Sequence, residues 1–168
     1  MNAIEGIIKQ QYDDIAHVYD RRWNRYISNT LTFFQTWVDI NPTANVLDVA
    51  CGTGELERLL LQKYPSLHIT GVDISDKMLE RARQKLKGYA NLSFEHTTAA
   101  SLPFANDSFD AVISANSFHY FSHPEKVLSE MRRVLKPGGT LTILDWCKDF
   151  LLCRVCDGIL KLLDPAHQ

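Results

Sequence analysis

The sequence predicts an α/β fold around a central parallel sheet, and three observations point to it. Val46, Leu47, Val49 and Ala50 form a short apolar run broken only by Asp48, the pattern of a strand covered on both faces. Gly52-Thr53-Gly54 then turns the backbone, and Leu56, Leu59 and Leu60 fall on one face of a following helix. Beyond this unit, short apolar runs alternate with segments of helical period, as α/β chains require. At 168 residues and a net charge of −2, the chain is expected to hold one domain with its own core.

In chain order, residues 2–19 are predicted helical, with Ile4, Ile7, Ile8, Ile15 and Val18 as the apolar stripe. A second helix is predicted over 27–38 from Ile27, Leu31, Phe34 and Val38, ending at Asn41-Pro42. The first strand opens at Asn45. His68–Asp73 is the second strand and ends at an acid, followed by a helix over 76–87 that packs Met78, Leu79, Ala82 and Leu86. A third strand is placed over 92–97 and a fourth over 109–114, after the turn-forming Asn106-Asp107-Ser108. Pro124 and Glu125 suit the first turn of a helix over 124–135. Lys136-Pro137-Gly138-Gly139 is expected to end that helix before a fifth strand over 140–146, and a last amphipathic helix is expected over 148–163. The domain thus divides into N-terminal helices or a lid (1–42), a ligand-binding core (43–146) and a C-terminal helix (147–168).

Composition narrows the function. A pI near 6.3 gives no general affinity for nucleic acid or acidic lipid. No stretch is long enough to span a membrane, no secretory signal opens the chain, and Cys51, Cys147, Cys153 and Cys156 are unevenly spaced. From these features a cytoplasmic protein with free thiols is expected. Cys153 and Cys156 would share one helix face, where a soft metal or metalloid could bind; buried thiols are the plainer reading, and no metal site is assigned.

The glycine turn suits a nucleotide-like ligand at a helix terminus. The dinucleotide fingerprint is only partly met, because Glu57 stands where its third glycine belongs. Asp48 and Glu55 flank the turn and would repel a pyrophosphate, whereas a cationic ligand would be attracted. The nine residues Val46–Gly54 resemble the first motif of the class I S-adenosylmethionine-dependent methyltransferases, and later segments match in order through RRVLKPGGTLTILDW. The resemblance implies a Rossmann-like α/β/α sandwich with strand order 3-2-1-4-5. It implies S-adenosylmethionine as cofactor, S-adenosylhomocysteine as product and a small-molecule methyl acceptor. Relatives continue into an antiparallel edge hairpin that this chain is expected to lack, leaving the last helix to fold back over the fifth-strand edge or, as the favoured expectation, to form a homodimer with it.

Candidate cofactor residues follow from both lines. Asp48, Ala50, Cys51, Gly52, Thr53 and Gly54 form the turn, and Ser114, Ala115 and Asn116 should lie beside it at the end of the fourth strand. Asp73, about twenty residues beyond the turn, has the spacing for a ribose, although a helix cap is its bland alternative. Ile74 follows it, and Met78 lies against adenine by the resemblance or simply packs. Tyr12 and Tyr19, in YDDIAHVYD, fold over the cofactor by the resemblance, or pack as ordinary half-polar side chains. Related sequences read Asp-Ala-x-x-Leu-Pro-Phe where this chain has Thr98-Ala99 through Phe104, and the resemblance gives that Asp the adenine amino group. Thr98 therefore predicts a weaker contact, helped by backbone groups at Ala99 and strengthened by Thr98→Asp. His119 has the chemistry of a general base, or of a hydrogen-bonded structural histidine. A nicotinamide oxidoreductase and a non-catalytic module binding S-adenosylmethionine or S-adenosylhomocysteine are the alternative functions, and the cysteines leave metalloid methylation as a lesser one.

Overall fold

The computed structural model describes residues 2–145. Helix α1 (Ala3–Ile15) and helix α2 (Tyr19–Trp37) precede strand β1 (Asn45–Val49), helix α3 (Glu55–Lys63), strand β2 (His68–Asp73), helix α4 (Asp76–Lys85), strand β3 (Leu92–His96) and strand β4 (Phe109–Ala115). Helix α5 (Pro124–Val134) and strand β5 (Leu135–Leu144) complete the described chain. The five strands form one sheet in the order β3-β2-β1-β4-β5, with every neighbouring pair parallel. The expected topology is therefore present, and the described residues contain no antiparallel pair.

Alternation along β1 sorts the core into two layers. Val46 packs with Ile69, Ala111 and Ile113 beneath Leu31 and Phe34 of α2 and Leu56, Leu60 and Leu61 of α3. Leu47 and Val49 point the other way, to Val112 and to Val127, Met131 and Val134 of α5. Asp48 shares the α3 side with Val46, so the one acid of β1 is set into an apolar layer at 2% exposure.

Three boundaries differ from the sequence reading. Helix α2 begins at Tyr19, eight residues before the predicted start, because Tyr19, Trp23 and Tyr26 continue its inward face as aromatics packed on the core. An aliphatic-only stripe hides that turn and a half. The long first helix breaks at residues 16–18, and none of α1 is buried; Ile4 and Ile7 are 52% and 66% exposed. Its predicted apolar stripe is therefore not a core stripe. Finally, Pro137-Gly138-Gly139 lies inside β5, not before it. Phe109 pairs with Leu135 and Ala111 with Thr140, so the extra residues bulge out of register. A Cβ on Gly139 would lie 2.7 Å from the Asp110 carbonyl oxygen, so only glycine permits that approach.

The predicted helix over 148–163, its cysteines and its part of the expected dimer contact lie outside the described residues; the fifth-strand edge lies within them. No described helix is long and apolar enough to cross a membrane.

Candidate functional site

The carboxyl ends of β1 and β4 open onto a cleft with a cavity volume of about 120 Å³, lined from α1, α2, β1, β2 and β4. Its floor is the turn that follows β1. Ala50 there takes a left-handed φ of 65° and Gly52 one of 56°, a conformation costing a non-glycine residue about 1–2 kcal/mol. The amides of Ala50 and Cys51 both donate to the Val72 carbonyl, at 2.8 and 3.0 Å, which fixes this tight path. A Cβ on Gly52 would meet nothing within 4 Å. It would project into the open cleft, so the glycine leaves room for something other than protein.

Asp73 stands over the turn at 9% exposure. Its two oxygens accept from the amides of Ser75 and Gly52, each at 2.8 Å. These bonds orient the carboxylate and use two of its roughly four acceptor positions. Burial pushes the Asp73 carboxyl above its ordinary range, against the backbone amides that favour its charge. The helix-cap alternative falls to Ser75, whose Oγ accepts from the Met78 amide at 3.1 Å.

The predicted residues separate by position. Asp48, Ala50, Cys51, Gly52, Thr53, Asp73, Ile74, Met78, Ala115 and Asn116 line the cleft, as do Tyr12 and Tyr19 from the N-terminal helices. Gly54 does not. It caps α3 at φ 78°, and a Cβ there would come within 2.9 Å of Leu86 Cδ1; its absence lets α3 and α4 meet. Ser114 is fully buried, donating to the Val49 carbonyl at 2.8 Å and bonding Ser117 Oγ at 2.9 Å. It ties β4 to β1 beneath the floor.

Thr98 and Ala99 border an adjoining recess that shares Asp73, Ile74 and Tyr120 with the cleft. The Thr98 hydroxyl donates to Glu5 Oε1 at 2.8 Å. A carboxylate therefore does stand at this end, delivered by α1. Glu5 also closes a capping box with Asn2, a signal for a helix start that sequence reading had no reason to link with a ligand. In Thr98→Asp, expected from sequence to strengthen the site, the new acid would face Glu5.

His119 is not among the residues lining the cleft. Asp145, missed from sequence, holds it at both ends: Asp145 Oδ2 accepts from the His119 amide at 2.7 Å, and Oδ1 lies 2.6 Å from Nδ1. The imidazole stacks at 4.0 Å on Tyr120, and it is Tyr120 that reaches the cleft. Tyr120 meets Tyr12 edge-on at 5.6 Å, and Tyr12 lies 6.0 Å from Tyr19. Burial pushes the phenols of Tyr12 and Tyr19 up, so both stay neutral. A polar strap also escaped the sequence reading. Thr53 donates to Asp20 at 2.5 Å, and Lys85 reaches Asp20 at 2.6 Å and Thr53 at 3.1 Å, pinning α2 and α4 to the turn.

The chemistry of this cleft, a glycine cradle flanked by the buried carboxylates of Asp48 and Asp73, fits a nucleoside ligand bearing positive charge. Known proteins agree. Residues 46–139 match the family described as a methyltransferase domain. The chain is 40% identical over 142 residues to the demethylmenaquinone methyltransferase of Thermotoga maritima, covering 82% of this chain and 58% of that protein. It is 32% identical over 154 residues to the ubiquinone/menaquinone biosynthesis C-methyltransferase UbiE of Geotalea daltonii, covering 83% and 63%. Among solved structures, the YcgJ protein of Bacillus subtilis superposes with a TM-score of 0.68 at 32% identity, covering 83% of this chain and 61% of that one. The chain thus spans about three fifths of each of these relatives. It belongs to the methyltransferase-domain family, and its sheet order and motifs are those of the class I S-adenosylmethionine-dependent methyltransferases.

Proposed function

We propose that the protein transfers a methyl group from S-adenosylmethionine to a small aromatic acceptor of the quinone or phenol class. The observation that carries this reading is the cleft itself: an open glycine cradle and Asp73 on one side, an aromatic wall on the other. S-adenosylmethionine, once bound, supplies a methyl group already activated on a sulfonium. The chain's own residues bind, orient and exclude water. Asp73, held by two amides, has acceptor positions left for a pair of ribose hydroxyls. Ile74 and Met78 offer an apolar bed beside it, and Asp48 offers negative charge below the turn.

The acceptor class follows from the wall. Tyr12, Tyr19, Tyr120 and Phe121 present flat, largely apolar faces to the cleft, which suit an aromatic ring. The names of the relatives point the same way. His119 is assigned as a positioning residue, locked by Asp145 and setting the orientation of Tyr120. Cofactor-binding roles for the remaining lining residues belong to this same proposal.

The test incubates the protein with S-adenosylmethionine and a panel of hydroxylated naphthoquinols, phenols and aliphatic amines, reading S-adenosylhomocysteine release. Turnover confined to ring acceptors is the expected result. Turnover only with amines would overturn the acceptor class, and cofactor binding without any turnover would favour a binding module.

A further inference from the structure

Behind the cleft floor lies a group that the proposed chemistry does not use. Glu57 is fully buried in the first turn of α3, and as a bare carboxylate neither of its oxygens has a hydrogen-bond partner among the described residues. The same holds for Oδ1 of Asp48, the acid of β1 that lines the cleft. The two carboxyls face one another across the layer between β1 and α3. Two acceptors cannot bond each other, and two bare charges in an apolar layer would carry a prohibitive desolvation cost. A proton between them converts one into a donor and removes both problems.

Space around the pair is shaped to hold it. A Cβ on Gly71 of β2 would lie 2.6 Å from Glu57 Oε1 and 2.9 Å from Cys51 Sγ, so glycine at 71 is what admits the acid. The Cys51 thiol is the remaining polar neighbour, and burial pushes its pKa up, keeping it protonated. Other charges near the pair are Asp73 on β2, which adds negative charge, and Lys85 on α4, which offsets it. Lys85 is already engaged by Asp20 at 2.6 Å and Glu55 at 3.4 Å, and so cannot neutralise the pair outright. Burial, with the neighbouring acids, drives both carboxyls upward, Glu57 to about 7.

We propose that Asp48 and Glu57 form a proton-sharing pair beneath the cofactor, and that a cationic group of the ligand resting on Asp48 expels the shared proton to solvent. This rests on the cofactor reading above. No bond between heavy atoms changes: the O–H bond of the shared proton breaks, the proton passes to water, and the ligand's cation takes over its charge balance. Glu57 is then a positioning residue that makes cofactor affinity depend on pH. Affinity rises with pH while the ligand-free pair still holds the proton that binding must remove. Cofactor loading is thus weakened by mild acidity.

Isothermal calorimetry with S-adenosylmethionine, at one pH near 7 in buffers of different ionisation enthalpy, counts the protons released. The wild-type protein is expected to release roughly half a proton to one proton and to bind about three- to tenfold more tightly at pH 7.5 than at pH 6. In Glu57→Gln the amide donates to Asp48, which ionises in the free protein, so release and pH dependence should both disappear. Infrared difference spectra of the wild-type protein supply a test that needs no variant: the band of a protonated buried carboxyl should fall on ligand addition. Binding without proton release, or release that persists in Glu57→Gln, overturns the pair, as does an unchanged carboxyl band. A folded protein that does not bind the ligand at all overturns the cofactor reading with it.

Discussion

Glu57 stands where a dinucleotide enzyme would need glycine for close helix–strand packing, and here Gly54 and Gly71 provide the close approaches instead. The acid that fills the space has a consequence for stability. Its carboxyl pKa is raised from 4.5 to about 7 by burial, so the folded state binds a proton that the unfolded chain has released. Such a group contributes stability that is full below pH 4.5 and lost as pH rises through about 7. The loss is of order 3 kcal/mol for one group. The ligand-free protein should therefore melt at a lower temperature at pH 8 than at pH 5.5, and Glu57→Gln should flatten that slope. An unchanged slope in the variant, measured by thermal denaturation, would show that Glu57 is not the responsible group. Asp48 and Asp73 were legible from their places at a strand and a strand end. The partner of Asp48 was not, because it requires knowing which side of β1 faces α3.

At the scale of elements, α1 is fastened across the recess by polar bonds and buries no residue. Asn2 bonds Ser122 at 3.0 Å, Glu5 accepts from Thr98 at 2.8 Å, and Asp13 accepts from Ser75 at 2.6 Å. Lys9 adds an ion pair with Asp76 at 3.1 Å. Thr98→Asp would set a second carboxylate against Glu5 and loosen this fastening, costing about 1 kcal/mol, or roughly five- to tenfold in cofactor affinity. Adding Glu5→Gln should restore much of it, since the amide can donate to the new acid. Equilibrium dialysis of labelled S-adenosylmethionine against both variants checks this; tighter binding by Thr98→Asp alone would mean that Glu5 does not occupy this place in the bound state. Strands β1, β2 and β4 were readable because each is a short, mostly buried run rich in β-branched and aliphatic residues. The start of α2 was not, since its inward face there is the partly buried Tyr19, Trp23 and Tyr26 among exposed arginines. The bulge in β5 was also hidden, because Pro-Gly-Gly reads as a turn whenever neighbouring register is unknown.

For the whole molecule, alternation of strands and helices was enough to fix the α/β class, while the order 3-2-1-4-5 came from resemblance and was met by the sheet. That order puts β1 and β4 side by side with their carboxyl ends at the cleft, which is why the glycine turn and Asn116 converge from positions 64 residues apart. The aromatic wall depends on α1 and the turn after β4 meeting above that point, a contact no local pattern reveals. His119 drew attention by its chemistry, whereas the neighbouring Tyr120 proved to be the cleft residue. The central claim is that this cleft holds S-adenosylmethionine on Asp73 and the glycine cradle. Calorimetry on the wild-type protein, Asp73→Ala and Gly52→Val, each checked for folding by circular dichroism, tests it most directly. Saturable one-to-one binding by the wild type, weakened by about 2–3 kcal/mol in Asp73→Ala and abolished in Gly52→Val, is the expected result. Undiminished affinity in either folded variant, or no binding by the wild type, would contradict it.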